Sequence, residues 1–600
     1  MAKTTAQFML ERLADDWGVR RVFGYPGDGI GGLTGAFHHV GDRLEFTQVR
    51  HEEIAAFAAC AHAKLTGEVG VCLATSGPGA IHLLNGLYDA KLDHQPVVAI
   101  VGQQARMSLG SDYQQEVDLV ALFKDVAGAF VQVCMVPEQA MHLIDRAMRI
   151  AKATRSPTCI IVPNDVQELE YVAPPRAHGA VPSSSAAIRK PVVVPDAFAL
   201  AEAAAVINAG ERVAILVGAG ARRAFPEIAE AAELLGAGAA RALNGRAVLP
   251  DDLPWVTGSI GLLGTRPSYD LMEGCDTLLM VGSNFPYSEW LPNPSPPTPA
   301  RGVQIDLDAR LIGTRYPMEV NLVGDAAQTL RALLPLLERK EDRTWRAEIE
   351  AGVARWWRVL DEQAQIPADP INPQLVFHEL SPRLPDGVIL TADTGSATDW
   401  WARHLKVRAG MEAIVSGTLA SMGPGVPYAL AAKMAFPDRP VVSVVGDGAM
   451  QMLGMNALID IAHYAKAQQW RDQRVVICVL NNHDLNQVTW EQRVLSGDPK
   501  LDASQVLPDV DYAGYARLLG LHGERVESPE EVGPAWDRAL AAGRPAVIDV
   551  LTDPEVPPLP PHISFEQAKA ITHAIAAGDP AAPRFMKQSL RGKLAELLTR

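Results

Sequence analysis

Short continuous apolar runs recur along this chain, each ending in a turn and followed by a helical stretch. They are RRVFGY, GVCLAT, QPVVAIVG and TCIIVP in residues 1–175, then VAILVG, DTLLMVG and GVQIDLD in 192–340. GVILTAD, VVSVVGD, RVVICVLNN and PAVIDVL follow in 373–553. A strand that is apolar on both faces must be covered on both faces, which a parallel sheet between helix layers provides. The alternation therefore predicts an α/β protein of doubly wound parallel sheets. A chain of 600 residues exceeds one ordinary core, so three such domains are expected, with a tail over 554–600.

The stretches between the blocks fit this division. APPRAHGAVPSSSAAIRKPVVVP reads as a linker. LPNPSPPTPA, residues 291–300, is a loop, because proline breaks both helix and ladder. Residues 343–372 read as a Trp-bearing helical connector, and DPEVPPLPPHIS as an extended exit. The first and third blocks share size and pattern, which hints at duplication. The formal net charge of −16 argues against nucleic-acid binding. An apolar run of 18 residues is absent, so no spanning helix is expected. MAKTTAQFMLERLADDWGV reads as an amphipathic helix and not a signal peptide. Cys60, Cys72, Cys134, Cys159, Cys275 and Cys478 stand singly in apolar surroundings, which suits buried reduced thiols and a cytoplasmic location.

The chemistry starts at VVSVVGDGAM, residues 441–450. The strand delivers Asp447 between Gly446 and Gly448, with Ala449 opening a helix. The next strand, RVVICVL, ends in Asn481 and Asn482. Ligands in open α/β sheets bind at the carboxyl ends of strands. A carboxylate and an amide oxygen there suit Mg²⁺, and the helix start suits a phosphate. Alone, Asp447 reads equally well as a helix cap and the Asn pair as a turn; one strand–helix–strand unit apart, they favour the metal.

The GDG…NN arrangement resembles the signature of thiamine-diphosphate enzymes, and the block order resembles the pyruvate oxidase and acetolactate synthase family over about residues 1–553. The resemblance implies a thiamine pyrimidine-binding domain (1–175), a central Rossmann-like domain of the FAD-binding type (192–340) and a diphosphate- and Mg²⁺-binding domain (373–553). It makes Asp447, Asn482 and the main-chain carbonyl of Asp484 the metal ligands. VRHEEIAAFAA resembles the family's RHE segment, with Glu52 as the acid that bonds the pyrimidine ring, a task that favours a desolvated carboxyl. The ordinary reading of Glu52 is an acid in a helix's first turn. TSGPGAIHLLNGL resembles the turn beside the pyrimidine, with Ser76 and Gly77; Pro26 and Gly27 of YPGDGIGGL are placed there too. Gly27, Gly29 and Gly32 also fit a lone GxGxxG, a weak dinucleotide signal. Met422 matches the bulky residue beneath the bent cofactor, though any one Met reads as core.

The middle block resembles, in order, the flavin-binding domain of quinone-linked pyruvate oxidases. That match sets Ile260, Gly261, Leu262 and Leu263, and Ser283, Asn284, Phe285, Pro286 and Tyr287, along FAD, with Asp306 toward the adenosine. A vestigial domain without flavin is the alternative, and acetolactate synthases keep a flavin with no redox role.

The substrate pocket departs from the pattern. Gln114 replaces the Phe of the family's FQE segment, leaving Gln115 and Glu116; Gln487 stands where an aromatic residue is usual; Glu491 matches a glutamate of the oxidases. Buried amides need partners, so these are expected to bond a substrate more polar than pyruvate, each other, or water. Gln115 and Glu491 join Glu52 as expected catalytic residues, and His38, His39, His94 and His483 are further pocket candidates. In the tail, Leu590, Leu594, Leu597 and Leu598 share a helical face near Lys587, Arg591, Lys593 and Arg600, as in a helix lying on a membrane surface or docked on a neighbouring subunit. The resemblance implies oxidative decarboxylation of a 2-oxo acid with electrons passing through FAD to a quinone or similar acceptor. A carboligase with idle FAD, a decarboxylase or lyase acting on a more polar acid, and a non-catalytic nucleotide binder are the alternatives. It also implies a homodimer at minimum, Glu52 of one subunit meeting Asp447 and Asn482 of another, and by extension a homotetramer.

Overall fold

The structure is a computed structural model that describes residues 3–175, 186, 192–295, 299–467, 470–560, 562 and 564–598. Most of the Pro/Ser-rich linker lies outside the described residues, as do residues 296–298 of the proline loop and Arg600, while the Leu597 and Leu598 side chains are likewise not described. The described chain contains three six-stranded parallel sheets flanked by helices, the α/β class the apolar runs predict.

The first sheet comprises β1 (Arg21–Gly24), β2 (Glu45–Gln48), β3 (Gly70–Ala74), β4 (Val97–Gln103), β5 (Val131–Val133) and β6 (Thr158–Pro163). The second comprises β7 (Val213–Val217), β8 (Gly238–Arg241), β9 (Val256–Ser259), β10 (Thr277–Val281), β11 (Arg301–Asp306) and β12 (Val320–Val323). The third comprises β13 (Ile389–Ala392), β14 (Glu412–Ile414), β15 (Val441–Gly446), β16 (Val475–Asn481), β17 (His522–Val526) and β18 (Ala546–Leu551). The first sheet runs β2-β1-β3-β4-β6-β5 and the third β14-β13-β15-β16-β18-β17, the same order shifted by twelve strands. The shared pattern of the two blocks is thus a shared topology. The middle sheet runs β12-β11-β10-β7-β8-β9, the dinucleotide-binding order read from the other edge.

By contact the chain divides into two units. The first holds residues 1–190, 416–441 and 449–473; the second holds 191–415, 442–448 and 474–600. In the first, helix Glu52–Thr66 is capped by His51, whose side chain accepts from the Glu53 N–H, and stops at Gly67 with φ +74°. Its Ala-rich surface is buried almost all round, so it needs neighbours on every side. β3, helix Leu84–Leu92 and helix Gly425–Ala435 supply them. The N-terminal helix, Thr5–Glu11, is amphipathic as predicted: Thr4 caps it, and Ala6, Met9 and Leu10 enter the core below the sheet.

A buried polar cluster sits in the same unit. Lys64 bonds Asp93 at 2.7 Å and the Tyr428 hydroxyl at 2.6 Å, and Tyr428 donates to Asp89. Asp93 also accepts the N–H groups of Gly417 and Thr418. Burial pushes Asp93 up, but Lys64 and these donors bring it below its usual value; Asp89 stays above its own, burial outweighing Lys64.

In the second unit, apolar clusters cover both faces of the middle sheet and the third core packs Trp400, Trp401 and Trp536. Helices Phe565–Ala576 and Ala582–Leu598 belong to this unit. Arg493, fully buried, grips Asp579 with two bonds of 2.9 and 3.1 Å and Glu555 at 2.9 Å. Trp490 meets Phe585 edge-on nearby. The C-terminal helix therefore docks on its own chain, an arrangement the two expectations for it did not include. Met586, Leu590 and Leu594 remain exposed along one side. Among the described residues, no helix is long and apolar enough to cross a membrane.

Candidate active site

β15 and β16 are neighbours in the third sheet, so their carboxyl ends lie side by side. Asp447, 3% exposed, sits at the first end. Its Oδ1 accepts the Gly448 N–H at 2.9 Å; its Oδ2 accepts those of Asn482 at 3.0 Å and His483 at 2.6 Å. Burial pushes the carboxyl up to about 6, against the pull of these three donors and of the His483 ring. Burial outweighs these pulls, which suits a carboxylate that is to meet a metal ion. The Asn482 Oδ1 accepts the Asp484 N–H at 3.0 Å, and the Asp484 carbonyl accepts the Asn486 N–H at 2.7 Å; each oxygen retains a second lone pair. The three make a hard oxygen set that fits Mg²⁺ with waters and phosphate completing the octahedron. The Asp484 carboxylate is otherwise engaged, with Lys500 at 2.9 Å and Thr489 at 3.0 Å.

In the first unit, Glu52 is buried, 7% exposed. Its Oε2 meets His82 Nδ1 at 2.9 Å, and its Oε1 faces Gly79, where a Cβ would come within 3.0 Å. His82 stacks on His51 at 4.4 Å between ring centres. His82 was missed in the sequence, although it lies inside the TSGPGAIHLLNGL segment; its residue type in that segment was the available signal. Gly77, at φ +62°, lies against Gln115, whose own φ is +62° and whose Oε1 is buried without a partner. Ser76 is buried and accepts from Gln104 at 3.3 Å. The Gly29 N–H donates to Thr75 Oγ1 at 3.0 Å, and a Cβ on Gly27 would strike Thr75. The first glycine-rich turn is therefore packed on the TSG turn, with Pro26 leading into it.

Three family models match consecutive parts of this chain. They are described as the thiamine pyrophosphate enzyme N-terminal TPP binding domain (residues 3–122), central domain (200–333) and C-terminal TPP binding domain (393–550). The chain belongs to the thiamine pyrophosphate enzymes. Among its relatives is YdaP of Bacillus subtilis (strain 168), named "Putative thiamine pyrophosphate-containing protein", 36% identical over 603 residues and the whole of both chains. The pyruvate oxidase of Lactiplantibacillus plantarum is 28% identical over 546 residues, 90% of this chain and 87% of its own. A "Probable acetolactate synthase large subunit" of Methanococcus aeolicus is 30% identical over 556 residues, 89% of this chain and 90% of its own.

The central domain of this thiamine pyrophosphate enzyme has its topological switch point between β7 and β10. There Gly218 and Gly220 meet Gly282 so closely that a Cβ on either would clash with its backbone. Ser283, 4% exposed, presents an Oγ without a partner at this point. Asp306 ends β11, with its Oδ1 accepting the Asp308 N–H at 2.9 Å. Asn284 accepts from Thr314, Phe285 packs on Gly261 (φ +92°), and Pro286 and Tyr287 are exposed. The Leu262 carbonyl accepts from Arg403, and Leu263 packs on the third core. An orphaned hydroxyl at a glycine-lined switch point fits a dinucleotide such as FAD.

Of the residues expected at the substrate, Gln487 and Glu491 lie one turn apart on helix Asn486–Glu491 and bond at 3.1 Å. The Gln487 Oε1 is buried without a partner. Gln114 is exposed, and Glu116 caps its own loop through the N–H groups of Gly110 and Tyr113. His38 and His39 are exposed in the last turn of helix Gly31–Val40. His483, at φ +56°, pairs with Asp509 at 3.1 Å, and His94 holds φ +55° in the turn after Asp93. Met422 follows Ser421, which Asn85 holds at 2.9 Å while also bonding Glu53 at 2.6 Å.

Proposed function

We propose that this enzyme carries out the oxidative decarboxylation of a 2-oxo acid with thiamine diphosphate, Mg²⁺ and FAD, passing electrons to a quinone or similar acceptor. The observation that carries the reading is Asp447, a buried carboxylate whose burial outweighs the donors around it, gathered with Asn482 and the Asp484 carbonyl at adjoining strand ends. Bound thiamine diphosphate supplies a nucleophilic carbon for the 2-oxo carbonyl and an electron sink for loss of CO₂, while bound FAD supplies a two-electron acceptor.

The chain's residues prepare that chemistry. Asp447, Asn482 and Asp484 would hold the metal, and the Gly446–Ala449 turn admits the diphosphate at the start of a helix. Glu52, with its Oε2 on His82, keeps its other oxygen to hold a proton for the pyrimidine ring. Gln115 and Gln487 each bring a buried, unpaired amide oxygen, which favours a substrate carrying a donor such as a hydroxyl. Glu491, bonded to Gln487, orients that amide. Ser283 and the glycine-rich turns at Gly218 and Gly282 would receive FAD, with Asp306 toward its adenosine. The proposed assembly is a homodimer or homotetramer in which Glu52 of one subunit serves the cofactor held by Asp447 of another.

The relatives named pyruvate oxidase and acetolactate synthase support two outcomes for the same decarboxylated substrate: oxidation, or ligation to a second carbonyl with FAD idle. Adding pyruvate, and separately a hydroxylated 2-oxo acid, anaerobically to the purified flavoprotein decides between them. Bleaching of the flavin spectrum supports the oxidase. Carboligation product with an unbleached flavin, or a protein purified without flavin, rejects it.

A further inference from the structure

Residues 416–424, ahead of helix Gly425–Ala435, carry Met422 and form neither helix nor strand. Within them Ala420 holds φ +54° and Gly423 φ +115°. A left-handed alanine persists only where its surroundings over-determine it, and such residues gather at ligand sites. Firm contacts must therefore hold this loop in shape.

Two clasps do so, and both lead to helix Glu52–Thr66. At the start of the loop, Asp93 accepts the N–H groups of Gly417 at 3.0 Å and Thr418 at 2.9 Å. Lys64, in the last turn of the helix, bonds Asp93 at 2.7 Å. Toward the end of the loop, Asn85 donates to the Ser421 Oγ at 2.9 Å and to the Glu53 Oε1 at 2.6 Å, with Glu53 in the first turn of the helix. Glu53 and Lys64 stand ~16 Å apart at 1.5 Å per residue, so one rigid helix spans both clasps. These residues all belong to the first unit.

The second clasp is the one that reaches Met422. The Ser421 hydroxyl meets the Met422 carbonyl at 3.3 Å, and the Ser421 N–H donates to the buried Ser416 Oγ at 3.1 Å. Asn85 uses its amino group on both partners, and an amide nitrogen has two N–H bonds to give. The Glu53 carboxylate fixes which way that amide faces, because only a donor suits it. The bridge thus needs a neutral donor at position 85.

We propose that Asn85 is a positioning residue that holds Ser421, and through it Met422, in the place required beneath the thiamine ring. It acts through the loop and not by contact with the coenzyme. The proposal rests on the reading of Met422 as the residue under the bent cofactor.

Asn85→Asp tests it, since it keeps the size of the side chain and sets a carboxylate against Glu53. In the full-length protein without cofactor, amide hydrogen exchange over residues 419–424 is expected to quicken about tenfold or more, with β3 and β4 exchanging as in wild type. With Mg²⁺ present, thiamine diphosphate is expected to bind about tenfold more weakly, and Met422→Ala to show a loss of similar size. Ser421→Ala cuts the same bridge from the loop side and is expected to match Asn85→Asp in both measurements. Adding Glu53→Gln to Asn85→Asp places a donor opposite the new carboxylate, which the Ser421 hydroxyl can also meet, so the double variant is expected to recover exchange and binding. A merely destabilising substitution would not be rescued in this way. Unchanged exchange in the loop, a double variant no better than Asn85→Asp, or wild-type binding in Asn85→Asp while Met422→Ala weakens it, overturns the role of Asn85 alone. Wild-type binding in Met422→Ala overturns the reading of Met422 and the proposal with it.

Discussion

The main-chain N–H of His483 donates to the Asp447 carboxylate at 2.6 Å, joining the turn after β16 to the end of β15. His483 adopts φ +56°, a left-handed conformation uncommon outside glycine. Asn482 and His483 thereby turn successive N–H groups onto one oxygen. These donors hold the acid in place without neutralising it.

In the cofactor-free protein the contribution of Asp447 to stability is expected to fall as pH rises from about 4 to 6. Asp447 titrates near 6 when folded, above its ordinary 3.8. At this site the folded state then binds more protons in that window, so the contribution of Asp447 is greatest below it and falls by about 3 kcal/mol across it. Thermal unfolding of wild type and Asp447→Asn against pH checks this: the variant should gain on wild type as pH rises.

Mg²⁺ should displace the same proton. Calorimetry of Mg²⁺ binding in the presence of thiamine diphosphate, in buffers of different ionisation enthalpy, is expected to show close to one proton released near pH 5 and little near pH 8. A release independent of pH would contradict the assignment of Asp447 as the ligand.

Glu52→Gln is expected to lower kcat by ~100- to 10,000-fold while thiamine diphosphate still binds. His82→Ala removes the only group bonded to Glu52 Oε2 in the described hydrogen bonds and should cost less than Glu52→Gln. The expected loss is in kcat, with the pH profile moved and KM little changed.

Lys64→Met strips the cation from Asp89 and Asp93, both buried. Losing one partner of such a cluster costs about 3–5 kcal/mol. Denaturant unfolding should show the drop, and a double variant that also replaces Asp93 with Asn should recover part of it.

Restoring an apolar wall with Gln487→Phe breaks the bond to Glu491. KM for pyruvate should fall relative to KM for a hydroxylated 2-oxo acid. The reverse shift would show that the amide does not select for polarity.

The sequence was most legible where burial was complete. The interior strands, such as Val475–Asn481 and Val441–Gly446, are buried along nearly their whole length and read as unbroken apolar runs. The edge strands Glu45–Gln48, Val131–Val133 and His522–Val526 are short and half-exposed, and escaped notice. So did Gly238–Arg241, whose GAAR sequence carries little β preference although it is fully buried. The helix Gly425–Ala435 follows the motif-bearing turn in sequence but clusters with residues 1–190. Nothing in its pattern forecast this, because an Ala-rich helix buried all round shows no preferred face.

The candidate site divides the same way. Asp447, Asn482 and Glu52 were legible because their positions at strand ends and a helix start are dictated by local chain geometry. His82 and the Gln487–Glu491 bond depend on side-chain partners that residue type alone does not name. The charged anchors Arg493 and Asp579 are a long-range pair that leaves no periodic trace.

The most direct measurement is titration of thiamine diphosphate into the metal-stripped protein with and without Mg²⁺, in wild type and Asp447→Asn. Tight binding that requires Mg²⁺ in wild type, and a loss of about a hundredfold or more in the variant with its fold intact, is the expected result. Equal affinity in both proteins, or binding indifferent to Mg²⁺, would contradict the account.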